Sequence, residues 1–171
     1  MRDNSHVSLA SFNCRGLKKV LTNSGCSFSQ ILRSVPYDLL ALQETHASTE
    51  QLQNSFNMIL QASDSNWTHH CGLISFNPSL SLLPLWSSID GRILATTVTH
   101  NSNLFEPLTI YVIYASATST ARLNLCETNQ LFQFHQTPEG RCILMGDFNH
   151  NIHKSIRSDR AVEWQHWIHR F

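Results

Sequence analysis

"ILMGDFNHNIH", residues 143–153, joins a short apolar run to Gly146, a carboxylate at Asp147 and an amide at Asn149, and then adds two histidines. Cys142–Met145 has the composition of a short buried strand, so its polar ending marks the point where a strand leaves the core. Other stretches end the same way. "DLLALQE", Asp38–Glu44, is a continuous apolar run closed by polar residues, as a strand buried on both faces would be. His6–Phe12 runs into Asn13-Cys14-Arg15-Gly16, and Leu108–Ala115, "LTIYVIYA", carries the β-branched and aromatic residues that favour a strand. Cys71–Phe76 and Ile93–Thr99 are further strand candidates. Helices are expected at Ser27–Ser34, stopped by Pro36, at Thr120–His135, and at Val162–Phe171 with its Trp164, Trp167, Ile168 and Phe171. Strands of both kinds interleaved with helices predict a layered α/β fold.

The chain has 171 residues, enough for one domain with a real core. Hydrophobic residues make up 42% and charged residues 14%, which excludes a disordered chain. Net charge is zero and the pI is about 7.1, so the bulk composition has no basic footprint for nucleic acid. Any DNA binding must come from a local patch, with ten histidines available to add charge below neutral pH. The five cysteines, Cys14, Cys26, Cys71, Cys126 and Cys142, form no C-x-x-C pair and read as free thiols of a reducing compartment. The N-terminal MRDNSH has no apolar core of a secretory signal, and no run is long enough to cross a bilayer. The expected setting is intracellular, nuclear or cytoplasmic, neither secreted nor in a membrane.

The strand endings "SFNCRG", "LLALQETH", "VIYAS" and "LMGDFNH" each place a polar group just past an apolar run: Asn13, Glu44, Tyr114, and Asp147 with Asn149. In layered α/β proteins ligands gather outside the carboxyl ends of strands. Two carboxylates with amide and phenol groups make a hard-oxygen donor set suited to Mg²⁺. Singly, each residue has an ordinary alternative: a strand end for Glu44, a turn for Gly146–Asn149, a half-buried aromatic for Tyr114 and a turn cap for Asn13. Zinc binding through His69, His70, Cys71, His150 and His153 is not expected. Their spacing matches no structural zinc pattern, and adjacent histidines do not easily share one tetrahedral ion.

Taken in order, SFN–QET–YA–GDFN resembles the endonuclease/exonuclease/phosphatase superfamily, and most of all the apurinic-type endonuclease domains of non-LTR (LINE-type) retrotransposons. The resemblance runs from about residue 7 to the end, and includes Arg122 eight residues after Tyr114. It implies a four-layered α/β sandwich, two packed β-sheets flanked by helices, in one domain over residues 1–171. It implies a DNA endonuclease dependent on Mg²⁺ or Mn²⁺, with no small-molecule cofactor. Glu44 would ligate the metal, with Asn13 orienting the carboxylate or phosphate. Asp147 would position or deprotonate the attacking water, Asn149 would hydrogen-bond the scissile phosphate, Tyr114 would hold it, and Arg122 would contact the DNA backbone.

The chain also departs from the pattern. Ser116-Ala117 replace the family's usual Pro-Asn after Tyr-Ala, and only residues 150–171 follow Asn149, where the family continues to a further Asp and a Ser-Asp-His motif. The expectation is a C-terminally truncated domain with an incomplete second sheet and an exposed edge that a partner or downstream domain would cover. Two alternatives follow: a catalytically dead fragment with weak nucleic-acid binding, or a phosphoesterase of the same fold acting on another substrate. His150 and His153 are expected to face solvent.

Overall fold

The computed structural model describes residues 6–21, 26–34, 36–116 and 141–149. The chain divides into two compact units, one of residues 1–114 with 138–147 and one of residues 115–137 with 148–171. The helices expected at 120–135 and 162–171 lie outside the described residues, as do Arg122, His150 and His153.

The first unit contains two four-stranded sheets. Sheet one joins β1 (Leu9–Asn13), β2 (Leu39–Gln43), β4 (Cys71–Ser75) and β3 (Asp64–Trp67) in the order β1-β2-β4-β3. Sheet two joins β5 (Leu80–Ser87), β6 (Ile93–His100), β7 (Leu108–Tyr114) and β8 (Arg141–Asp147) in chain order. Helices α1 (Cys26–Ser34) and α2 (Glu50–Leu60), with a 3₁₀ turn at Leu17–Leu21, complete the described elements.

Alternation along β2 explains the layering. Leu39 and Ala41 face one way and meet Leu73, Leu80, Leu82, Leu94, Val98, Ile110 and Val112 in the core between the sheets. Leu40 and Leu42 face the other way, against Leu17, Val20 and Leu32 and against Phe56 and Leu60 of α2. All five residues of β2 are buried, as a strand covered on both faces requires. The α/β layering expected from the sequence is therefore present, with four described strands in the second sheet.

Three elements depart from the sequence-based expectations. α2 was not anticipated, although Thr49 caps it by accepting a hydrogen bond from the Leu52 N–H. β3 is "DSNW", too polar to read as a strand, and it pairs antiparallel with β4. β5 carries Pro84 in its middle, a residue tolerated there because β5 lies at the end of its sheet and its register shifts between Pro84 and Trp86. Among the described residues no helix is long and apolar enough to cross a membrane.

Candidate active site

Strand direction assembles the site. β1 pairs parallel with β2, bringing Asn13 beside Gln43, and β7 pairs parallel with β8, bringing Tyr114 beside Asp147. Parallel pairing puts carboxyl ends together, so Asn13, Glu44, Tyr114 and Asp147 gather at one end of the sandwich. The link is direct: Asn13 Nδ2 donates to Asp147 Oδ2 at 2.6 Å, across 134 residues of sequence and from one sheet to the other. Asn13 Oδ1 accepts from the Arg15 N–H at 2.9 Å, which fixes the amide's orientation. The carboxylate that the Asn13 amide contacts is that of Asp147, while β1–β2 pairing also keeps Asn13 beside Gln43, next to Glu44.

Asn13, Glu44, Tyr114 and Asp147 are all half-buried. Burial raises the Tyr114 phenol above its ordinary value, and the negative charge of Glu44 adds to that; Arg92 opposes it by charge and hydrogen bond, while Asp147 adds a little more. Glu44 itself has φ 55° and His46 φ 56°, so the loop that carries the carboxylate holds two side-chain-bearing residues in the left-handed region.

Antiparallel neighbours deliver further groups to the same end. β4 runs against β2, so its first residue Cys71 pairs with Gln43, and His69 and His70 precede it. β6 runs against β7 with Ile93 opposite Ile113, which brings Arg92 alongside. The Arg92 guanidinium lies 5.0 Å from the centre of the Tyr114 ring, and its Nη1 is buried without an acceptor. The His70 ring stands 5.6 Å from that of Tyr114. Burial, then the charges of Arg92, His69 and His46, push the His70 pKa down to about 4, so its imidazole is neutral at physiological pH. Arg92, His46, His69 and His70 were not anticipated as a group. Arg92, His69 and His70 precede their strands, whereas His46 follows β2 two residues beyond Glu44.

Asn149 belongs to the second unit, where its Nδ2 donates to the Ala115 carbonyl at 2.7 Å and its φ is 46°. The buried thiols take no part in this chemistry: burial pushes Cys14 and Cys71 up to about 12, which leaves both protonated and unreactive.

The donor set at this end of the sandwich is two carboxylates, a primary amide, a phenol and a guanidinium. That combination can hold a hard divalent cation and a phosphate together. The sequence pattern of the Endonuclease/Exonuclease/phosphatase family matches residues 10–164. The chain belongs to that family. None of the curated proteins matches it significantly. Among solved structures, AP endonuclease LMAP from Leishmania major superposes with a TM-score of 0.63 at 12% identity, over 96% of this chain and 66% of that one. A humanized D. rerio TDP2 gives 0.60 at 15% identity, over 94% and 67%. The endonuclease domain of TRAS1, a telomere-specific non-LTR retrotransposon, gives 0.57 at 11% identity, over 96% and 70%. At such identities these likenesses speak for the fold.

Proposed function

We propose that this chain is a divalent-metal-dependent phosphodiester hydrolase that cuts DNA, and that it derives from a non-LTR retrotransposon endonuclease. The observation that carries the proposal is the 2.6 Å contact between Asn13 and Asp147 at a strand-end cluster that also holds Glu44 and Tyr114. The TRAS1, LMAP and TDP2 likenesses support it at the level of fold. A family match that extends from residue 10 to residue 164 supports treating residues 1–171 as one functional domain.

The chemistry follows from the groups present. Asp147 accepts a proton from the attacking water as the water oxygen bonds to phosphorus, and the Asn13 amide keeps the accepting carboxylate oriented. Asn13 is a positioning residue in this scheme. As the bond from phosphorus to the leaving oxygen breaks, negative charge builds on the phosphoryl oxygens, and Tyr114 and Arg92 would hold them. Asn149 and Arg122 keep the roles the family pattern gives them, a hydrogen bond to the scissile phosphate and a backbone contact. Glu44 would hold Mg²⁺ or Mn²⁺, which when bound polarises the phosphoryl oxygen and acidifies the attacking water.

The test is cleavage of a short end-labelled DNA duplex by the full chain, with Mg²⁺ and with EDTA, beside Glu44→Gln. Mg²⁺-dependent product that falls at least about 100-fold in Glu44→Gln supports the proposal. Equal product with EDTA, or with Glu44→Gln, refutes it.

A further inference from the structure

His46, His69 and His70 form a second cluster beside the carboxylate site. Each offers a ring nitrogen, and the three nitrogens lie within 4.8 Å of one another. The rings meet nearly edge to face: His69 and His70 at 4.3 Å and 85°, His46 and His69 at 5.9 Å and 88°, His46 and His70 at 5.8 Å and 72°. Adjacent residues of a strand would point to opposite faces, but His69 and His70 occupy a bend before β4 and so share a side.

The backbone holds this arrangement in place. The His70 carbonyl accepts from the Thr45 N–H at 3.1 Å, and the His69 carbonyl accepts from the Ala47 N–H at 2.9 Å. The Thr45 hydroxyl donates to the same His69 carbonyl at 3.1 Å. The His70 N–H donates to the Gly91 carbonyl at 3.2 Å, and the Thr68 hydroxyl to that carbonyl at 2.7 Å. Gly91 has φ +67°, and an added Cβ would stand 3.1 Å from the His69 backbone nitrogen and 3.2 Å from its Cβ, so the turn is packed directly against the backbone of the histidine pair. His70 Nδ1 is buried and has no hydrogen-bond partner. No described residue bonds to the ring nitrogens of His46 or His69.

We infer that His46, His69 and His70 bind a borderline divalent transition ion, Zn²⁺ by ligand preference, at a site separate from the hard-oxygen site at Glu44. Imidazole suits Zn²⁺ and disfavours Mg²⁺, which selects oxygen. Zinc held by nitrogens at about 2.0–2.1 Å in tetrahedral geometry sets those nitrogens roughly 3.4 Å apart. The cluster therefore has to tighten by roughly 1.4 Å at most, within reach of small side-chain rotations. A fourth position is left for water. An anion is the poorer occupant, because it would need imidazolium rings crowded against each other and near Arg92. The ion ties the loop that carries Glu44 to the turn before β4.

The experiment uses the full chain stripped of metal by a chelator, with Zn²⁺ binding followed by calorimetry and Co²⁺ binding by visible absorption. The expected result is one Zn²⁺ per chain, a four-coordinate Co²⁺ spectrum, and an affinity that excess Mg²⁺ does not erode. His46→Asn and His69→Gln, each checked for native circular dichroism, should each weaken Zn²⁺ binding by at least about 10-fold. His6→Gln should leave it unchanged. Absence of saturable Zn²⁺ binding, displacement by Mg²⁺, or undiminished binding by the folded His46→Asn/His69→Gln double variant would overturn the inference. DNA cleavage is not read, so this outcome is independent of the hydrolase proposal.

Discussion

Gly146→Ala is the sharpest test of how Asp147 is held. Gly146 lies inside β8 opposite Ile113 of β7, with φ +149°. An added Cβ would stand 1.9 Å from the Ile113 carbonyl oxygen and 2.8 Å from both its carbonyl carbon and its nitrogen. Those distances are far inside the roughly 3.5 Å of ordinary contact, and the obstacle is backbone rather than a rotatable side chain. β7 is paired on both sides, with β6 and with β8, so it has little room to yield. The strained dihedral costs about 1–3 kcal/mol. Separating the strands weakens at least one ladder hydrogen bond, for about 1 kcal/mol more. A total near 3 kcal/mol predicts a Tm drop of roughly 6–12 °C for a chain of this length. Gly16→Ala is the comparator: its φ is +87°, but the nearest atom to an added Cβ is His46 Cδ2 at 3.7 Å, so only the backbone term of about 1–2 kcal/mol applies. Thermal unfolding followed by circular dichroism measures both. A Gly146→Ala Tm within about 2 °C of wild type, or a larger loss in Gly16→Ala, would refute the packing argument.

Asn13→Ala removes the amide that orients Asp147 at 2.6 Å; single-turnover DNA cleavage should fall about 10–100-fold while duplex affinity is nearly unchanged, and an equal loss of both would assign Asn13 to binding instead. Thr49→Ala deletes the α2 cap and should cost about 1 kcal/mol in urea unfolding with an unchanged m-value; no change in midpoint would mean the cap contributes nothing. His70 has its folded pKa lowered from 6.5 to about 4, chiefly by burial. As pH falls from 6.5 towards 4 the unfolded chain takes up a proton there and the folded chain does not, so wild-type stability declines across that window. His70→Gln in EDTA should show a flatter decline between pH 6.5 and 4 and no added slope above 7, and parallel curves for the two proteins would contradict the assignment.

Half of the candidate site was legible because parallel pairing keeps strand ends in step with sequence. Asn13, Glu44, Tyr114 and Asp147 each follow an apolar run, and β1 with β2 and β7 with β8 turn that shared position into shared space. Arg92 was missed, and His69 and His70 were weighed only as zinc ligands, because they precede β6 and β4, and only antiparallel pairing brings a strand's beginning to that end. Sequence did not disclose the direction of those pairings. The closeness of the His69 and His70 rings was not legible either, because the two residues occupy a bend where strand alternation does not hold. The second sheet was harder to read at β5, where Pro84 and the shift towards Trp86 disguise a strand at the sheet's edge. α2 did carry signals in the sequence, Thr49 as cap and Leu52, Phe56 and Leu60 at helical spacing.

The most direct test of the account is nicking of supercoiled plasmid by purified, folded protein in Mg²⁺, beside Asp147→Ala. Open-circle product that forms with wild type and disappears with Asp147→Ala is the predicted result. Nicking that Asp147→Ala retains, or folded wild-type protein that leaves the plasmid supercoiled, would contradict the assignment of this strand-end cluster as a phosphodiester-cleaving site.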